Sequence, residues 1–387
     1  MTPDVRIITP WFGHFSGGAE VAARRYAQEL ARRGLSVELL ATACQSPFHN
    51  WWEDQLPVGE EPHEQGTNLV VRRFPVDKGG RADYEALLSR VLRGETLAPD
   101  EYHVLARSSC NSAALLDHAA AKPAGVTLAL PYTQGLAYSA AEVLGDALTL
   151  MPCLHDEGQL YWPSTRAMIE RARNCAFLSA AEKRLAIREH GLATGRRLVE
   201  SPVVGLGVDA PAAPGPAPVD GPYIVYVGRK DAGKGLPQLL EWMGAVWARM
   251  PDLKLVLVGG GNGVALPPDP RVVDLGFVDP AVKSGAIRGA RALVNPSALE
   301  SFSIVIFEAW LLGVPVFVNA KCDVTTEFVT LSGGGFAVSD ADEMIDGLSV
   351  LADPVERGRL GEAGRHFARM NTAWDVVANR FVEALLS

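Results

Sequence analysis

The sequence predicts an α/β protein built from two doubly wound domains, each a parallel sheet covered by helices. Three observations carry this. The chain has 387 residues, more than one core ordinarily holds, because single hydrophobic cores stop growing at about 250–300 residues. Short β-rich runs alternate with helical stretches, a pattern that places parallel strands between helix layers. The alternation breaks at a turn-rich segment, Gly205 to Pro222, with five prolines between Pro211 and Pro222 counting both, and then restarts. The predicted division is 1–205 and 206–371, with this segment as linker.

The first element is Val5-Arg6-Ile7-Ile8-Thr9, a short strand followed by a loop from Pro10 to Gly18. Ala19 to Arg33 then repeats Val21, Ala22, Tyr26 and Leu30 at helical spacing, and Gly34 stops the helix. Ser36–Ala41 is the second strand. Later strand candidates are Leu69–Phe74, Val126–Leu130, Leu148–Leu154, Ala176–Ser179 and Leu198–Val204. Past the linker come strands Tyr223–Val227, Lys254–Val258, Val272–Leu275, Ala292–Asn295, Val314–Val318 and Gly335–Val338. Helices fall at Leu236–Met250, at Val282–Gly289 and from Ser303. A final helix, about 372–387, carries Trp374, Val377 and Phe381 on one stripe.

Composition narrows the function. At 48% hydrophobic and 21% charged, the chain buries enough surface to order itself, so disorder is excluded. No apolar run approaches the roughly 20 residues of a membrane-spanning helix. The first residues lack a signal-peptide layout, and the five cysteines are scattered without a Cys-x-x-Cys pair. A reduced cytoplasm is the expected location, at most peripheral to the inner membrane face. The net charge of −9 is spread as −3 over residues 1–200 and −6 over the rest, which argues against a nucleic-acid partner.

Three motifs carry chemistry. Gly17-Gly18-Ala19-Glu20 joins the first strand to the first helix. It reads either as a tight turn or as backbone that approaches an anion at a helix N-terminus. The Gly-x-Gly-x-x-Gly fingerprint is absent, although Glu38 lies twenty residues past Gly18, where a ribose-binding acid would sit. Gly228-Arg229-Lys230-Asp231-Ala232-Gly233-Lys234-Gly235 follows the first strand of the second domain. Its two readings are a solvated basic turn and a clamp in which Arg229 and Lys234 hold a diphosphate. The third motif runs from Pro296 through Glu300 and Ser303-Ile304-Val305 to Glu308-Ala309. Its two readings are a helix-surface Glu308 beside a capping Glu300, and a Glu308 buried in an apolar helix, where a carboxylate needs a partner. Two carboxylates at the carboxyl end of a parallel sheet suit hydroxyl-rich ligands such as sugar and ribose.

Taken in order, these motifs resemble the retaining glycosyltransferases of family 4, which have the GT-B fold. The resemblance spans Ile7 to the last helix and adds Val258-Gly259-Gly260-Gly261 and Gly313-Val314-Pro315-Val316. It implies two Rossmann-like domains facing across a cleft, with the last helix packed back on the first. It implies transfer of a hexose-type sugar from a nucleotide-diphosphate sugar, UDP- or GDP-type, to an acceptor hydroxyl. The acceptor would be a saccharide, a lipid-linked glycan or a small glycoside, with no metal required. Arg229 and Lys234 would neutralise the departing diphosphate, Glu300 would hold sugar hydroxyls and Glu308 the ribose. Gly17, Gly18, Gly228, Gly259, Gly260, Ser303, Ile304 and Val305 would line the donor, and Phe277 and Val278 would read the base. His155, after a strand, would face the transferred sugar or acceptor.

Two departures stand out. Ser303 replaces the family's usual glycine, with a side chain that narrows the donor pocket, and Asn319–Asp323 lacks the usual glycine pair. Asp340-Ala341-Asp342 is formally Asp-x-Asp, yet its place before Glu343 reads as a helix cap. Trp51 and Trp52 read equally as a stacking platform for an acceptor or as packed anchors of the loop 44–66. The rival functions are a GT-B sugar-nucleotide epimerase or hydrolase, an NAD(P) dehydrogenase and an inactive sugar-nucleotide binder.

Overall fold

A computed structural model describes residues 2–13, 17–61 and 67–386. Parts of the loops expected at 10–18 and 44–66 therefore lie outside the described residues. The chain forms two units, Met1–Leu206 with Val377–Ser387, and Gly207–Val376.

In the first unit the strands are β1 (Val5–Ile8), β2 (Val37–Thr42), β3 (Gly59–Glu61), β4 (Leu69–Phe74), β5 (Val126–Ala129), β6 (Leu148–Leu150) and β7 (Asn174–Cys175). They form one sheet in the order β3-β4-β2-β1-β5-β6-β7, parallel except for the edge strand β3. The helices are α1 (Gly18–Arg32), α2 (Arg81–Leu92), α3 (Pro99–Arg107), α4 (Ala113–Ala121), α5 (Gly135–Leu144), α6 (Pro163–Arg171), α7 (Ala180–Thr194) and α8 (Arg196–Glu200). Strands β1 and β2 are buried along their whole length, which explains why they are mostly apolar and why the two charged residues they carry, Arg6 and Glu38, are paired with each other.

The expected strand at Leu198–Val204 is not one. Its first half is the end of α8, and among the described residues only Val203 bridges to Phe177. A short apolar run has no periodicity to separate helix from strand, and the Ser201 hydroxyl bonding back to the Arg197 carbonyl at 2.7 Å closes a helical turn. Ala176–Ser179 also lies just past β7, not in a strand. Glu38, on β2, is committed to structure: Arg6 Nε lies 2.8 Å from it, His118 Nε2 3.0 Å and Arg72 Nε 3.1 Å. Burial pushes this carboxyl up, but bonds from His118 and Arg6 outweigh it and hold it below the usual range. Three donors already hold its two oxygens in a buried place, which weighs against a ribose there and so against the dinucleotide reading.

The second unit has β8 (Tyr223–Val227), β9 (Lys254–Val258), β10 (Val272–Asp274), β11 (Leu293–Asn295), β12 (Val316–Asn319) and β13 (Gly335–Val338). They form an all-parallel sheet in the order β10-β9-β8-β11-β12-β13. Its helices are α9 (Leu236–Arg249), α10 (Pro280–Gly289), α11 (Ile304–Leu311), α12 (Asp323–Ser332), α13 (Ala341–Val350) and α14 (Pro354–Thr372). Phe302, Phe307, Trp310, Phe328 and Phe367 pack ring on ring beneath α11, with adjacent centroids 4.7–6.4 Å apart. Asp340 accepts the Glu343 N–H at 2.9 Å and caps α13.

The last helix, α15 (Trp374–Leu385), begins in the second unit, where Trp374 Nε1 donates to Asp209 at 3.0 Å. From Val377 it belongs to the first, where the Phe381 ring lies 5.3 Å from that of Tyr26. Among the described residues no helix is long and apolar enough to cross a membrane.

Candidate active site

In a doubly wound sheet, ligands bind at the carboxyl ends of the strands where the order reverses. In the second unit that point lies between β8 and β11, and the two strongest motifs emerge there side by side. Gly228–Gly235 leaves β8 and Pro296–Ser303 leaves β11. The topology thus joins groups 66 residues apart: Lys234 Nζ lies 2.8 Å from Glu300 Oε1.

Backbone geometry fixes that pairing. The Asp231 carboxylate accepts the Lys234 N–H at 2.9 Å and closes a 3₁₀ turn, Ala232–Lys234. Gly235 then takes φ +72° against the Pro296 carbonyl. A methyl there would meet both the left-handed penalty and that oxygen. We expect Gly235→Ala to cost about 2 kcal/mol or more, read as a lowered urea midpoint, because the turn that holds Lys234 against Glu300 must shift. On the facing loop, Asn295 Oδ1 accepts the Ser297 N–H at 3.1 Å and Asn295 Nδ2 donates to Ser303 Oγ at 2.7 Å. One buried amide therefore bridges both ends of the segment that carries Glu300.

Ser303 has φ +71° at the N-cap of α11, the conformation that favours the glycine expected here. Its side chain is buried and its hydroxyl turned to Asn295. The N–H groups of Ile304 and Val305 are in the first turn of α11, where a helix offers donors and positive potential to an anion. Asn319 supplies a side-chain amide where glycines were expected, donating to the Pro296 carbonyl at 2.8 Å and accepting the Lys321 N–H at 3.0 Å.

Arg229 is mostly exposed, with Nε 3.3 Å from Asp231. Gly259, at φ +131°, lies so close to the Gly228 carbonyl that a side chain would overlap it; Gly260 faces open space. Phe277 is 81% exposed just past β10, and the Gly276 carbonyl before it accepts the Gly259 N–H at 2.7 Å. Glu308 has the partner its apolar helix demands, Lys283 of α10, with Nζ 2.7 Å away. Periodicity could not name Lys283, because the pairing spans two elements.

In the first unit Gly17 is the N-cap of α1, and the Glu20 carboxylate folds against it. Gly18 is open. His155 follows β6 at the end of Cys153-Leu154, its Nδ1 3.3 Å from Glu157 Oε1, which also accepts the Tyr132 hydroxyl at 2.7 Å. Burial pushes the Tyr132 phenol up, and Glu157 adds to this. Glu182 was not among the expected residues, yet it holds this loop. Fully buried, it accepts the Leu154 and Leu178 N–H groups at 2.7 Å each. The Ser179-x-x-Glu182 spacing signals a helix start; that its carboxylate reaches the loop before His155 is a tertiary fact. Trp51 and Trp52 are loop anchors: their indole N–H groups donate to Pro47 and Ser108 carbonyls at 3.1 and 3.0 Å, and their rings pack on Tyr84.

Comparison with known proteins bears on the family and the fold. Residues 17–202 match a family model described as a glycosyl transferase 4-like domain, and 221–353 match one described as glycosyl transferases group 1. The chain is 26% identical over 411 residues to a D-inositol 3-phosphate glycosyltransferase of Gordonia bronchialis, covering 96% of this chain and 83% of that one. It is 33% identical over 179 residues to a phosphatidyl-myo-inositol mannosyltransferase of Mycobacterium tuberculosis, covering 43% of this chain. That match spans 47%, about half, of the mannosyltransferase's length. The sucrose-phosphate synthase of Thermosynechococcus elongatus shares the fold at a TM-score of 0.64 and 18% identity, over 98% of both chains.

Proposed function

The chain belongs to the family-4 glycosyltransferases of the GT-B fold, and on that premise we propose that it transfers a hexose-type sugar from a UDP- or GDP-type donor to an acceptor hydroxyl with retained anomeric configuration. The observation that carries the reading is the Lys234–Glu300 pair at the switch point of the second sheet, 2.8 Å apart, beside the exposed Arg229. The two cations meet the diphosphate, whose negative charge grows as the C1–O bond breaks. The N–H groups at the start of α11 add to that field. Glu300 holds sugar hydroxyls while aiming Lys234, and Glu308 accepts from the ribose.

Retention follows attack from the face the diphosphate leaves. The acceptor oxygen bonds to C1, the C1–O(phosphate) bond breaks, and the departing phosphate oxygen takes the acceptor's proton. No protein base is needed, and the charge stabilisation does not call on a metal. His155 and Glu157 of the first unit are assigned to the acceptor, which is a saccharide, a lipid-linked glycan or a small glycoside. Titration calorimetry with UDP and GDP tests the donor assignment. One of them should bind with micromolar affinity, and binding should weaken in Arg229→Ala. A chain that binds neither nucleotide would overturn the reading.

A further inference from the structure

We infer that Lys230 and Asp274 are positioning residues that set the phosphate-facing and base-facing loops of the second unit in one fixed geometry; the inference rests on the donor reading above. Lys230 stands between Arg229 and the Lys234 turn, yet it points the other way. It is 6% exposed, and its Nζ lies 2.8 and 2.6 Å from the two Asp274 oxygens. Lys230 leaves β8 and Asp274 ends β10, with β9 between them in the sheet. The pair therefore spans the carboxyl end of β9, where Gly259–Gly261 lies.

Every backbone strut around it belongs to the same three loops. The Lys230 N–H donates to the Gly260 carbonyl at 2.9 Å, and the Gly228 N–H to Val258 at 2.9 Å. Asp274 Oδ1 also accepts the Gly276 N–H at 2.9 Å, immediately before Phe277. The ion pair is thus the side-chain tie between the loop that presents Arg229 and Lys234 and the turn that presents Phe277 and Val278.

Lys230 is buried while the Asp274 carboxylate is about one-third exposed, and such a pair adds little net stability relative to apolar side chains of similar size, because desolvation of the ammonium offsets the attraction. What it supplies that methylenes cannot is direction, since one ammonium held by both oxygens of a carboxylate fixes the spacing of the loops. A nucleotide bound at its diphosphate and its base at once depends on that spacing.

The test is nucleotide affinity and melting temperature in one variant set, using whichever of UDP or GDP the wild-type chain binds. Asp274→Leu strands the buried Lys230 ammonium and should melt lower, whereas Lys230→Met leaves a part-exposed carboxylate and should change melting little; both should bind about tenfold or more weakly. Lys230→Met with Asp274→Leu removes both charges. Its melting temperature should return close to wild type while its affinity stays about tenfold down. Lys230→Arg, which keeps the charge and the bonds, should rescue affinity to within about threefold. If the double variant recovers wild-type affinity along with its stability, or either single variant binds normally, the pair serves stability alone and the inference is overturned. A wild-type chain that binds neither nucleotide overturns the donor reading and this inference with it.

Discussion

Lys234→Ala should lower sugar transfer about 100- to 1,000-fold, the range seen when one preorganised charge-stabilising donor is removed from an active site. Glu300→Ala should lower it at least as far, since that carboxylate both aims Lys234 and faces the sugar in our assignment. Neither change should unfold the protein. Lys234 is about one-third exposed and Glu300 11% exposed, and a partly exposed pair of this kind contributes about 1 kcal/mol or less. That corresponds to a melting shift of roughly 2–4 °C for a unit of this size. The discriminating measurement is transfer of labelled sugar at saturating donor, alongside the melting temperature. Near-normal turnover in both variants would sink the site assignment. Lost activity with a collapsed melting temperature would mean that the pair is architectural.

Glu182→Ala is expected to have the largest effect on stability. Its carboxylate accepts the N–H groups of Leu154 and Leu178 in a place with no solvent. Each donor left unpaired costs about 1–3 kcal/mol, so a loss of several kcal/mol, on the order of 10 °C, is expected. His155 sits one residue beyond Leu154, so activity should fall even at temperatures where the variant is folded. Burial pushes the Glu182 carboxyl up to about 7, against the pull of its backbone donors. An acid whose pKa is raised by folding contributes stability below its unfolded value and loses it as pH rises through the folded one. Between about pH 5 and 7 this group should therefore lower stability by roughly 1.4 kcal/mol per unit. Glu182→Gln should lack that slope. Urea midpoints at pH 5.5 and 8 decide it: an equal pH dependence in wild type and the Gln variant would rule Glu182 out as the source.

Much of the fold was legible because its signals are local. Strands Tyr223–Val227, Lys254–Val258, Leu69–Phe74 and Gly335–Val338 have the expected bounds, since each is a short β-rich run closed by turn residues. The misreading of Leu198–Val204 and the unforeseen edge strand Gly59–Glu61 share a cause. Both segments are short and carry no period, so their neighbours decide their conformation. The site divides in the same way. Arg229, Lys234 and Glu300 lie in loops after β8 and β11, and Glu308 lies in the helix after β11, where residue type and local pattern place them. Their partners were not legible: Lys283 for Glu308, Asp274 for Lys230, Asn295 for Ser303 and Glu182 for the loop before His155.

The sequence by itself determined two α/β units and which charged groups stand in the loops at their strand ends, because periodicity, glycine and proline act within a few residues. Only the tertiary structure decided which charges meet. The reversal of strand order between β8 and β11 brings Lys234 to Glu300 across 66 residues, and no local pattern encodes a contact that depends on how strands are laid side by side.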